Sequence, residues 1–296
     1  MFVCVNLVNG QEGKNFLEKD STMNNQRVKL AAIGSGAAYI SSMSGLYVLW
    51  YKDYPSMHFH SFNDANEWQQ MDKIGHTGSA YYLSRWSNDI FEWTGMPEKK
   101  SAWLGAGAGF IYQATIEIFD GFSSQWGFSF SDVGANTLGA GLFLSQQLLH
   151  GGQLMQIKFS FHQTDYAAYR PNVLGKNLTE NIFKDYNGQT YWLSLNISEI
   201  LNSSNLFPSW LDVSVGYGAE GMTGANENPE SIDGKSLPAF ERYRKFYLSP
   251  DIDLSKIKTR SSFLKTAFEA FGFIKFPLPA LEYNSKGKFS LHGIYF

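Results

Sequence analysis

A chain of 296 residues that is only 17% charged and 16% aromatic is the reverse of a disordered composition, which needs abundant charge and few aromatics. A formal net charge of −3 offers no basic field to gather nucleic acid, and one cysteine, Cys4, excludes a disulfide framework or multi-cysteine metal site. The mean hydropathy of −0.24 is too polar for a transporter made wholly of membrane helices, so the sums point to a membrane-associated chain with polar segments.

Residues 1–11 form a short apolar run that turns polar at Gln11 and Glu12. It has no basic n-region and is too short to span a bilayer, so it is expected to be the remnant of a secretion signal starting further upstream; a disordered leader is the alternative. The three residues before Cys4 cannot form the apolar stretch a lipoprotein signal needs. Residues 30–51 carry no charge, and that length suits a membrane-spanning helix of about 20 residues. Their small residues, Gly34, Gly36 and Gly45 among them, suit close helix–helix approach; a buried helix of a water-soluble domain is the other reading.

Residues 101–157 contain three charges, Glu117, Asp120 and Asp132, and no Lys or Arg. Two uncharged blocks flank an aromatic Gly/Ser loop at 121–129, whose rings could sit at a membrane–water boundary. Gly105 with Gly109, and Ala135 with Gly139, make small-xxx-small pairs. The run from Gly105 to Gly109 lacks the spacing and the preceding strand of a dinucleotide loop.

Acids in an apolar region without basic neighbours must be protonated, hydrogen-bonded, metal-bound or open to water. At helical spacing Asp72 shares a face with His76, Glu117 with Asp120, and Asp132 with Asn136. If the three faces converge, they form an acidic, single-histidine cluster suited to a divalent cation or a dense hydrogen-bond network. Glu117, Asp120, Asp132 and His76 are the candidate metal ligands, and His76 and Asp72 the candidate catalytic residues.

The order Asp72-Lys73-Ile74-Gly75-His76, then Glu117, then Asp132-Val133-Gly134-Ala135-Asn136 followed by Gly139, resembles the YfiM-type DUF2279 family of bacterial envelope proteins. It is more distantly similar to the VanZ-like membrane family, which usually has an Arg before the third motif where this chain has Gln125-Trp126-Gly127. The resemblance implies an envelope location and a helical architecture rather than an activity. The tail after Gly152 looks like that of longer members from Bacteroidota, which would imply a Gram-negative envelope.

Beyond Gln156 the period changes to two: Tyr191, Leu193, Leu195 and Ile197 alternate with polar positions, as do Leu211, Val213, Val215 and Tyr217. Asn187-Gly188 and Asp233-Gly234 supply turns, and residues 221–240 look like a polar surface loop or hairpin extension. Residues 255–272 have helical spacing, with core packing expected for Phe263, Leu264, Ala267, Phe268 and Phe271. A terminal strand closing on Phe296 resembles the last strand of outer-membrane barrels, while the strand count favours a soluble antiparallel sheet equally. The expected fold is α+β: a helical bundle with membrane-like helices over 25–152, then an antiparallel β-rich half over 153–296, with a partial or outer-membrane-type barrel as one outcome.

Three functions follow. The leading expectation is a non-enzymatic, outer-membrane-associated protein with a scaffolding role, touching membrane lipid and other outer-membrane proteins but no nucleic acid, its cluster of Asp72, His76, Glu117, Asp120, Asp132 and Asn136 locking the helices together. The alternative is a metal-dependent hydrolase or transferase acting on a lipid or cell-wall precursor at the same cluster, with a divalent metal ion as its cofactor. The third is a small-ligand or lipid-binding module whose cavity is lined by Ser79, Tyr81, Tyr82, Trp103, Tyr112, Trp126 and Phe128.

Overall fold

The structure, a computed structural model, describes residues 16–201, 206–232 and 234–296. The signal remnant at 1–11, Cys4 and the Asp233 half of the second expected turn lie outside them. Helix α1 (Asn25–Leu46) starts at Asn24, whose side chain accepts from the N–H groups of Gln26 and Arg27, and runs into a wider π-type turn at Tyr47–Tyr51. Helices α2 (Met71–Trp93), α3 (Glu98–Gly121) and α4 (Phe130–His150) form the packed bundle. Ser129 caps α4 by accepting from the Asp132 N–H, and Gly151, at φ 67°, ends it.

Glycines bring α3 and α4 onto α2. A Cβ on Gly109 would lie 2.6 Å from the Ser84 backbone nitrogen, and one on Gly139 would lie 2.1 Å from the Thr77 carbonyl oxygen. The small-residue pairs of α3 and α4 therefore make close backbone contacts. Those of α1 do not, because a Cβ at Gly34, Gly36 or Gly45 meets nothing within 4 Å. Most of α1 is exposed, with Arg27 and Met43 its buried residues. No helix among the described residues is long and apolar enough to cross a membrane, which corrects the membrane-spanning reading of residues 30–51.

The chain enters α2 through an unusual turn. Trp68, Gln69 and Gln70 have φ of 47°, 51° and 65°, three successive non-glycine residues in the left-handed region, each costing about 1–3 kcal/mol. Contacts from far along the chain hold them. The Trp68 N–H donates to the Ala225 carbonyl at 2.8 Å, the Tyr217 hydroxyl to the Gln69 carbonyl at 2.6 Å, and Arg244 to the Gln70 side-chain oxygen at 2.7 Å. Residues 221–240 are thus not a free surface loop: Met222 and Thr223 are buried, and Ala225 and Asn226 clamp the approach to α2.

The second half is a six-stranded antiparallel sheet. Its strands are β1 (Met155–Phe161), β2 (Gln189–Asn196), β3 (Leu211–Glu220), β6 (Tyr243–Ile252), β7 (Leu278–Asn284) and β8 (Phe289–Tyr295), adjacent in that order. A small hairpin, β4 (Ser231–Ile232) and β5 (Lys235–Ser236), stands apart. Short helices α5 (Tyr166–Tyr169), α6 (Pro171–Leu174) and α7 (Leu178–Lys184) join β1 to β2, α8 (Ile197–Ile200) follows β2, and α9 (Ser262–Phe271) precedes β7. The free edge of β1 takes up the segment before β7: the Phe159 N–H donates to the Phe273 carbonyl and the Lys275 N–H to the Phe159 carbonyl. The sheet does not close into a barrel, so that outcome is corrected while the α+β class stands.

The period of two is present with its faces reversed. Lys158, Ser160, Thr190, Ser194, Asp212, Ser214, Lys245, Ser249 and Asp251 are buried, whereas Leu193, Val215, Phe246, Leu248, Leu281 and Leu291 are exposed. The inward charges are paired. Lys158 reaches Asp251 at 2.8 Å, Ser194 donates to Asp251 at 2.6 Å, and Asn196 donates to Asp212 at 2.7 Å. The inward face is thus largely polar around one apolar cluster of Trp192, Tyr247, Ala280 and Tyr295, and the outer face is apolar. Helix α9 likewise buries none of its residues; Phe263 is 70% exposed, correcting the expectation of core packing.

Candidate functional site

The bundle and the outer face of β1 and β2 enclose a cavity of about 680 Å³, within the range of small-ligand sites. Asp72, His76, Asp120 and Asp132 line it, with Trp50, Trp68, Trp126 and Tyr186 around them. Of the aromatic residues expected to line a binding cavity, Tyr82, Tyr112 and Trp126 do so, together with Ser79. Tyr81 is fully buried in the bundle core, Trp103 is 61% exposed, and Phe128 packs on Phe59 and Phe130.

The polar residues separate into two groups. In the first, the Lys73 ammonium stands among three carboxylates, 2.8 Å from Asp64, 3.0 Å from Asp72 and 2.7 Å from Asp132. Asp64 also accepts from the hydroxyls of Ser129 (2.6 Å) and Ser131 (2.7 Å), and Asp72 from Tyr186 (2.5 Å). This group ties the loop before α2, α2 itself, the start of α4 and the segment before β2 into one network. Burial pushes the Asp64 carboxyl up, but hydrogen bonds from Lys73 and the two serines outweigh it and hold the group at about 2.

The second group surrounds the His76 ring. Its Nδ1 lies 3.2 Å from Asn136 Oδ1 and 3.5 Å from Glu117 Oε1, and its Nε2 lies 3.8 Å from Asp72 and 3.9 Å from Asp132. Gln113 donates to Asn136 Oδ1 at 3.3 Å. Glu117 Oε1 and Asn136 Nδ2 are buried without a hydrogen-bond partner, in residues that are fully inaccessible. A network whose purpose is to lock helices satisfies its members; these atoms are left over. Asp120 stands one turn further along α3, accepting from the Tyr51 hydroxyl at 2.7 Å.

Burial raises the Glu117 carboxyl to about 8, although the His76 charge opposes it; Asp132 and Asp120 add to the rise. Burial likewise raises Asp120 to about 7 against its Tyr51 hydrogen bond, and Asp132 to about 6 against the His76 charge. Burial acts to lower His76, but the charges of Asp72, Asp132 and Glu117 outweigh it and raise the imidazole. A carboxyl whose folded value is raised holds its proton more tightly folded than unfolded, so its contribution declines as pH climbs from about 4 toward the folded value. His76, also raised, gives stability that is present below its ordinary value and lost as pH rises through the folded one. Asp64 and Asp72, both depressed, give stability above about 4 that is lost on acidification. Thermal stability is therefore expected to peak near pH 4 to 6 and fall toward pH 8, with Glu117→Gln flattening the upper part of that fall. A melting temperature that rises from pH 5 to pH 8 would contradict it.

Asp72, His76 and Asp132 offer ligand atoms within 4.8 Å of one another, so the grouping that could hold a metal includes Asp72 and not Glu117 or Asp120. Lys73 already supplies positive charge to two of these three residues. The sequence pattern pointed to six polar residues and passed over Lys73, although it lies inside the first motif. It also missed Asp64, which lies in the loop before α2, and Gln113, although Gln113 stands four residues before Glu117 on the same face of α3. Tyr186 arrives from the second half, and no local pattern announces it.

No curated protein and no solved structure matches the chain. Residues 61–146, which carry α2 to α4 and all six of the polar residues singled out in the sequence, match the model of DUF2279, a family described as a predicted periplasmic lipoprotein.

Proposed function

We propose that this is a cell-envelope protein that rests against membrane lipid and holds an amphiphilic envelope molecule in its cavity, with His76 and the surrounding carboxyls as the acid–base group for hydrolysis or transfer at that molecule's polar end. The observation that carries the reading is the unsatisfied half of the cluster. Glu117 Oε1 and Asn136 Nδ2 lack partners beside a histidine that opens into an aromatic cavity. Carboxyls raised toward neutrality next to an imidazole raised above its ordinary value are the equipment of proton transfer. The locking role expected for the whole cluster is supported only for the Lys73 group, and a scaffolding role for the protein has no observation of its own. The family's description supports the envelope location, and the outward apolar face of the sheet supports contact with lipid.

The test is conversion of envelope amphiphiles bearing ester or amide bonds, read by mass spectrometry of the products. The full chain is expected to release product, and His76→Ala to lower the rate at least about a hundredfold with an unchanged melting temperature. Conversion that survives in His76→Ala would remove His76 from the chemistry. A second reading, metal-assisted hydrolysis, is supported by the grouping of Asp72, His76 and Asp132. It requires that zinc or magnesium raise both the melting temperature and the rate, and that a chelator reverse both.

A further inference from the structure

Cavity shape and cavity charge together say more about the ligand than either does alone. Asp72, His76, Ser79, Leu83 and Trp86 all line the cavity and lie at successive turns of one face of α2. From Asp72 to Trp86 the helix rises about 21 Å, so the cavity is a slot as long as the helix face that floors it. Its two ends differ. At the Asp72 end stand Asp64, Asp120 and Asp132, with Tyr51, Trp126 and Tyr186 beside them. At the Trp86 end the walls are Tyr82, Leu83, Trp86 and Phe273, and the rings of Tyr82 and Trp86 each pack within 5.8 Å of Phe273. The bilayer hydrocarbon is about 30 Å thick, so one leaflet's acyl chain reaches about 15 Å, which leaves one end of the slot for a polar head.

The bases at the charged end already face acids, His76 standing among Asp72, Glu117 and Asp132. Lys73 is shared by three carboxylates, and Lys158, the lysine among the wall residues, is held by Asp251. Lys52, Lys176 and Lys184 line an adjoining cavity of about 700 Å³ instead. What the slot offers a ligand head is carboxyl oxygen from Asp72, Asp120 and Asp132, and the faces of aromatic rings. A phosphate or carboxylate head finds no donor pair there, whereas an ammonium finds both carboxylate and ring faces.

Resting on the proposal that this cavity holds an amphiphile, we infer that its ligand is a single-chain amphiphile with a positively charged, ammonium-type head, the head lying between Asp72 and Asp120 and the chain along α2 toward Trp86. Binding to the full-length protein is measured by tryptophan fluorescence and native mass spectrometry, with dodecyltrimethylammonium, dodecanoate and tetramethylammonium as probes below micelle-forming concentrations. Dodecyltrimethylammonium is expected to bind at least tenfold tighter than either of the others, since dodecanoate carries the opposite charge and tetramethylammonium lacks the chain. Ser79 is exposed and lies midway along the slot, so Ser79→Trp obstructs the chain with the fold intact. It should remove the advantage of the dodecyl chain and leave tetramethylammonium binding unchanged. Asp120→Asn should narrow the preference for the cation over dodecanoate. Equal or tighter binding of dodecanoate overturns the inference, as does a Ser79→Trp variant that melts normally and still favours the long chain. The outcomes separate from those of the proposed function. Turnover that depends on His76, with dodecanoate preferred, leaves that proposal standing and removes this one. Cation binding without turnover of any amphiphile does the reverse.

Discussion

Alanine at Gly139 should cost more than about 3 kcal/mol, while alanine at Gly141, two residues along the same helix, should be neutral or stabilising by up to about 1 kcal/mol. The added methyl at 139 would sit 2.1 Å from the Thr77 carbonyl oxygen and 3.0 Å from Ala80 Cβ, so α4 could keep its helix only by withdrawing from α2. At 141 nothing lies within 4 Å, and only the helical preference of alanine over glycine is felt. The same contrast holds on α3. A methyl at Gly109 would lie 2.6 Å from the Ser84 nitrogen and 2.9 Å from the Ala80 carbonyl, and one at Gly107 would meet nothing. Because His76, Glu117 and Asn136 sit on the three helices these glycines draw together, loss of the contact should also raise the cavity's accessibility, read as faster quenching of its tryptophans. Melting temperatures that fall equally at 139 and 141 would show that close approach is not what the glycines supply.

Lys73→Met is expected to cost about 3–5 kcal/mol at pH 7.5, the penalty for leaving buried carboxylates without their cation. The methionine keeps the bulk of the stem and removes the charge that lies within 3.0 Å of Asp64, Asp72 and Asp132. The loss should shrink at pH 5, where the carboxyls can take protons in place of the ammonium. Adding Asp132→Asn should recover part of it, so that the double variant is less damaged than the two single effects summed. Equal losses at pH 5 and pH 7.5 would mean that packing of the stem, not charge, is what Lys73 contributes. If divalent cations bind among Asp72, His76 and Asp132, zinc should rescue Lys73→Met far more than it helps the unaltered chain.

The helical half of this architecture was legible because its signals are local. Uncharged blocks of the right length became α3 and α4, and i,i+4 spacing put Asp72 with His76 and Asp132 with Asn136 on single faces. The second half was legible in period but not in sense. Alternation shows that a strand has two unlike faces, and Leu193 against Ser194 gives no hint which one turns inward. The helix at Ser262–Phe271 misled for a related reason: amphipathic spacing predicts a face to be covered, and nothing among the described residues covers it. Within the site, composition drew attention to acids without bases, and so to a deficit that Lys73 in fact makes up. The residue next to Asp72 in sequence extends a four-carbon stem to three carboxylates on three different segments, which no local spacing announces.

The left-handed turn at Trp68–Gln70 has a bearing on when the polar cluster is assembled. Those residues set the direction in which α2 departs, and with it the aim of Asp72, Lys73 and His76. Beside the local hydrogen bond from Gln70 to the Ala65 carbonyl, its restraints come from Tyr217, Ala225 and Arg244, more than a hundred residues later. A chain that has made α2, α3 and α4 but not yet laid down β3 and β6 would hold every chemical group of the centre with its leading helix misaligned. The geometry of the polar cluster is then completed late, as a by-product of finishing the sheet.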